Sequence, residues 1–166
     1  MGAERYHQLV ADGISYLQAE RDLRGYDATL HWIHATAHIA DLLTALAGNS
    51  QLTREESAGI LHAISARLLS APDVFTQGEQ DRLAASVVAV ARRPDFEAAK
   101  FEQWLAALQN EDRDVWVNTT PATLARDQNH TYLLQALFTR LALDPDSPRI
   151  TEFKQHVLAV MKSRLD

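Results

Sequence analysis

The chain has 166 residues and a formal net charge of −6. Hydrophobic residues make up 46% and charged residues 23%, the balance of a folded globular chain, which excludes disordered and collagen-like classes. There is no cysteine, which excludes disulfide scaffolds, zinc ribbons and thiol catalysis.

This length predicts one domain over residues 1–166, long enough to bury a real core. No apolar run approaches the ~18 residues of a membrane span. Met1 to Val10 is polar and lacks the apolar stretch of a secretory signal, so the cytoplasm is the expected compartment. An acidic chain without grouped Lys and Arg is not expected to bind nucleic acid.

Periods of three and four dominate the apolar pattern, and seven helices are expected. The first runs from about Ala3 to Asp22, with Tyr6, Leu9, Val10, Ile14 and Leu17 as its stripe. Leu23 to Leu30 is a connector, and Asp22 just before it and Arg24 in it are placed to form a charge-assisted pair. The second helix spans His31 to Ala47 and ends at Gly48-Asn49, residues suited to a left-handed cap. Thr53 and Glu56 read as a capping box opening the third, which buries Ile60, Leu61, Ile64 and Leu68. Thr76 and Glu79 repeat that spacing at the fourth, and Pro94 stops it.

Asp95 caps a fifth helix carrying Phe96, Phe101, Trp104, Leu105 and Leu108. Asn110 to Thr120 is a polar loop anchored by Val115 and Trp116. Thr120-Pro121 reads as N-cap and first helical position, and the sixth helix extends to Leu143 with a break near Arg126 to Asn129. The seventh follows Pro145 and Pro148. Short loops make neighbours antiparallel. Alternate helices recur at roughly 40 residues, the HEAT and armadillo range. The expected architecture is all-α, with antiparallel pairs stacked as a short superhelix; a globular helical bundle is the competitor.

The second helix holds the unusual residues, in His31-Trp-Ile-His-Ala-Thr-Ala-His-Ile-Ala-Asp41. At about 100° per residue, His31, His34, His38 and Asp41 fall within roughly an 80° arc, with Trp32 on the opposite face. Two imidazoles at i and i+4 with a carboxylate one turn on suit a divalent metal, with His34, His38 and Asp41 as ligands. Ala35 stands where a zinc peptidase helix has its general base. The rival is a structural polar network that fixes the connector. Glu79 and Arg82 read locally as a surface pair; the functional alternative puts both on the same groove, with Glu79 as an acid–base candidate. Asn129 reads as a cap or turn residue.

The run Arg24-Gly25-Tyr26, then Trp32, His34, His38 and Asp41, resembles the bacterial domain-of-unknown-function 2785 family. Its hallmark is an Arg-Gly-Tyr turn leading into Trp-x-His-x-x-x-His-x-x-Asp. The stretches from Glu79 to Arg82 and from Asn129 through Leu141 resemble later parts of the family. The resemblance implies an armadillo-like all-α fold and supplies no activity. His31 stands where the family pattern has Gly, and family members carry more helix ahead of the turn, so a homodimer could complete the groove.

Three functions follow. One is a helical-repeat protein whose groove binds a small molecule, peptide or metal through Arg24, Trp32, His34, His38, Asp41, Arg82 and Asn129. Another is a metal-dependent hydrolase. The third is a structural or assembly role without ligand.

Overall fold

A computed structural model describes residues 2–111, 115–145 and 147–164. The described residues form α1 (Ala3–Ala19), β1 (Tyr26–Asp27), β2 (His31–Trp32), α2 (Ala35–Ala47), α3 (Arg54–Ser70), α4 (Glu79–Ala91), α5 (Ala98–Glu111), α6 (Pro121–Leu143) and α7 (Pro148–Ser163). The fold is all-α apart from one antiparallel hairpin with Tyr26 opposite Trp32 and Asp27 opposite His31.

Side-chain pairs fix the helix directions. His7 meets Glu56 at 2.8 Å, and the Arg67 Nη2 donates to the Asp22 carbonyl at 3.3 Å, so α1 and α3 run parallel. Arg54 pairs with Glu97, and the Trp104 indole N–H donates to the Leu61 carbonyl, so α5 follows α3 in the same sense. Phe101 against Phe153 and Gln109 on Ser163 add α7 to that layer. In the second layer, Thr44 on Ser86 and Arg92 on Asp144 align α2, α4 and α6. Between layers, the Tyr6 hydroxyl donates to the Leu46 carbonyl at 2.7 Å, while Gly13 packs against Leu43. That crossing makes α1 and α2 antiparallel. The helices thus form two parallel layers, α1-α3-α5-α7 and α2-α4-α6, antiparallel to each other.

The core lies between the layers: Val10, Leu43, Ile60, Ile64, Leu83, Val87, Leu105, Leu133 and Phe153 are all but inaccessible. Burying each such side chain stabilises by roughly 1.5–3 kcal/mol. Gly13 and Gly59 permit the close approach of α1 to its neighbours, since a β-carbon would lie 3.1 Å from Leu43 and from Ile14 respectively.

Caps largely follow the expected chemistry. Thr53 and Glu56 form a reciprocal capping box, and Thr120 with Pro121 opens α6. Several boundaries differ. The first helix ends at Ala19 rather than Asp22. Helix α6 is continuous through 126–129. Helix α4 starts at Glu79, with Gly78 at φ 85° as its N-cap, so Thr76 and Glu79 form no capping box. Gly48 stays right-handed at φ −74°. The carbonyls at the end of α2 and in the loop after it are held by Arg93, which donates to Ala47, Asn49 and Leu52 at 2.7–3.0 Å. Val115 is buried, as an anchor should be, whereas Trp116 is 76% exposed.

Candidate functional site

The expected second helix begins four residues late, and this reorganises the histidine stripe. His31 and Trp32 belong to β2, and His34 is the N-cap of α2 at φ 41°. The hairpin wins over the helix for local reasons. The Asp27 carboxylate accepts from the backbone N–H of Thr29 and Leu30, both at 2.8 Å, which closes the turn. His31 at φ 60° then completes a three-residue loop with a left-handed residue after it. The Ile33 and His34 amides continue the ladder to the Gly25 and Arg24 carbonyls. Two left-handed histidines within four positions cost about 1–3 kcal/mol each, and such residues cluster where a fold holds them for a use.

The hairpin sits over the N-terminal ends of α2 and α4. Gly25 lies so close to Gln77, just before α4, that a β-carbon there would be 2.1 Å from its Cγ. Below it, the His34 Nε2 lies 3.4 Å from a carboxylate oxygen of Glu79. Glu79 is 2% exposed and accepts from the Gln77 amide at 2.9 Å. The His34 Nε2 is itself buried and has no hydrogen bond of good geometry. Neither Gly78 nor His34 caps its helix with a side chain, and α2 has no acid in its first turn. The Glu79 carboxylate therefore answers the positive ends of two parallel helices.

A third buried charge completes the corner. Arg67 of α3 is fully inaccessible; its Nε donates to the Thr36 hydroxyl at 3.0 Å, and it lies over the Phe75 ring at 4.9 Å. Its Nη1 has no partner. Burial pulls the guanidinium below its ordinary pKa, opposed by the carboxylates of Glu20, Glu79 and Asp22. Outside, an aromatic row runs over the corner, from exposed Tyr26 to Trp32 at 5.5 Å, on to half-buried His34 at 5.4 Å and out to exposed His38 at 5.9 Å between ring centres. Tyr26 and Trp32 are more than half exposed.

A family model described as a protein of unknown function, DUF2785, matches residues 1–139. The chain belongs to the DUF2785 family. No curated protein and no solved structure matches it.

In this DUF2785 member the sequence-predicted residues fall into four groups. His34, Glu79, Trp32 and His38 come together at the corner. Asp41 instead pairs with Arg82 across the exposed faces of α2 and α4 at 3.2 Å, a contact worth ~0–1 kcal/mol. Among the described residues, no group of three His, Asp or Glu is arranged to hold a metal ion. His34, His38 and Asp41 are thus not assembled as a ligand shell, because the helical register that would align them begins only at Ala35. Arg24 lies at the surface, where it clasps Asp22 at 2.6 Å and holds that carboxyl down at about 2.

Asn129 is neither a cap nor a groove residue. It is fully buried within α6, accepting from the Phe75 amide at 2.9 Å and donating to the Asp73 carbonyl at 3.1 Å. Gln80 donates to the Phe75 carbonyl beside it. Together they fix the segment that delivers Glu79. Arg67 is the residue that sequence reasoning missed. Its signal was available: a cation seven positions after Ile60 and three after Ile64 lies on the apolar stripe of α3.

Proposed function

We propose that this DUF2785 protein is a ligand-binding helical-repeat module whose recognition site is the corner of Trp32, His34, His38, Glu79 and Arg67. Two layers of parallel helices, crossed antiparallel, support the reading of a short armadillo-like stack. The ligand is a small polar molecule or a peptide segment that rests on the Trp32 ring and presents a polar group to His34.

One observation carries this reading: the His34 Nε2 is buried beside the Glu79 carboxylate without a proper hydrogen bond, while Arg67, buried within electrostatic reach of Glu79, has an Nη1 with no partner. Buried polar groups left incomplete are costly, about 1–3 kcal/mol each, and a ligand that completes them recovers that energy on binding. Metal-dependent hydrolysis through His34, His38 and Asp41 lacks that support: Asp41 turns to Arg82, and among the described residues no group of three His, Asp or Glu is arranged to hold a metal ion.

A thermal-shift screen of metabolites and short peptides tests the proposal. Compounds should raise the melting temperature of the native chain and lose their effect in Glu79→Gln and Trp32→Ala. Hits that act equally on both variants, or a comprehensive screen without hits, would favour a purely structural corner.

A further inference from the structure

On the opposite layer, α3 and α5 leave a groove of about 360 Å3, within the ~300–1,000 Å3 range of small-molecule sites. Ala58 and Ala66 on α3 and Ala107 on α5 face it, so two parallel helices run side by side without side chains to fill the space between them. Its apolar lining includes Leu61, Leu69 and Trp104. The indole N–H of Trp104 is already used, donating to the Leu61 carbonyl and the Ser65 hydroxyl, so the ring offers only its apolar surface. Leu69 is 38% exposed.

The charge on this groove is one-sided. Its lining contains Lys100 and His62 and no carboxylate, in a chain of net charge −6. The nearby Glu97 is held by Arg54 at 3.2 Å. The charge is also at one end. Arg54 meets Glu97 and Leu61 meets Trp104, a constant offset of 43 residues. That register puts Lys100 level with Ser57, beside Ala58, and Leu69 lies twelve residues further on from Ser57, roughly 18 Å along the helix. The groove is therefore a narrow apolar trough with a cation at its head.

We infer that this groove binds a single-chain aliphatic carboxylate, its head at Lys100 and its tail running past His62 along Leu61, Trp104 and Leu69. An extended alkyl chain matches the shape, and a single anionic head matches the charge at one end.

The probe is sodium dodecanoate below its micellar concentration, titrated into the full chain carrying Trp32→Phe and Trp116→Phe, so that Trp104 alone reports. Saturable one-to-one fluorescence change is expected, with a rise in melting temperature. Lys100→Glu should weaken binding at least fivefold, and dodecanol should bind at least fivefold more weakly than dodecanoate. Ala66→Phe, which fills the trough, should abolish saturation; Ala107→Leu serves the same end if circular dichroism shows that Ala66→Phe unfolds. Absence of saturation, affinity unmoved by either filling variant, or equal binding of dodecanol and dodecanoate would each overturn the inference, leaving the trough to an amphipathic helix or a second copy of the chain.

Discussion

Arg67 brings a charge into the interior with incomplete compensation, and its neighbours explain how the fold tolerates it. The Thr36 hydroxyl, the Asp22 carbonyl and the Phe75 face each take part of the desolvation penalty. Arg67→Ala should destabilise by about 3–5 kcal/mol, the cost of breaking a buried charge network, read by urea denaturation. Arg67→Met should cost less, because it keeps the packing volume. Asn129→Ala strands the Phe75 amide and should cost about 1–3 kcal/mol. His34→Gly makes a contrasting prediction. It relieves a left-handed backbone at φ 41°, so stability should hold or rise while ligand binding is lost. Asp22 gives a pH prediction. Its folded pKa of about 2, depressed first by the Arg24 side-chain hydrogen bond, lies below the unfolded value of ~3.9. That stability is present above about pH 4 and is lost as pH falls toward 2. Arg24→Ala should raise the Asp22 pKa, measured by carboxyl carbon NMR, and flatten the acid limb.

At the scale of elements, the helices were legible in sequence and the hairpin was not. Apolar periodicity located all seven helices because each buries one stripe, and Thr53 with Glu56 and Thr120 with Pro121 marked two starts. The stretch from His31 to Asp41 misled because its polar spacing also fits a helix. Backbone pairing decided otherwise: cross-strand bonds from the Ile33 and His34 amides to the Gly25 and Arg24 carbonyls, and the Asp27 turn, compete only when the chain folds back. The Tyr26–Trp32 aromatic pair flanking Asp27 was the usable cue. Arg67 stayed hidden because a lone cation on a stripe reads as an interruption until its partners, distant in sequence, are seen. Asp27→Ala removes the acceptor of two backbone N–H groups. It should speed hydrogen exchange at Ile33 and His34 well before it affects the core helices.

Across the whole molecule, parallel layers bring the N-terminal ends of α2 and α4 together, and the hairpin covers that junction. The seventh helix closes the far end through Ile150, Phe153 and Val157. Phe153→Ala should cost about 3–5 kcal/mol and loosen α5 first, since Phe101 packs against it with ring centres 4.6 Å apart. Among the described residues no helix is long and apolar enough to cross a membrane. The corner thus rests on scaffold from four helices, with α6 reaching it through Asn129 and α3 through Arg67.

The most direct test of the corner as a ligand site is the imidazole of His34, followed by long-range proton–nitrogen NMR with and without the strongest compound from the thermal-shift screen. The account predicts that the His34 ring nitrogens shift on saturation, while those of the distant His62 and His156 stay in place, and that Glu79→Gln abolishes the change. Saturating ligand that leaves His34 unmoved would contradict it.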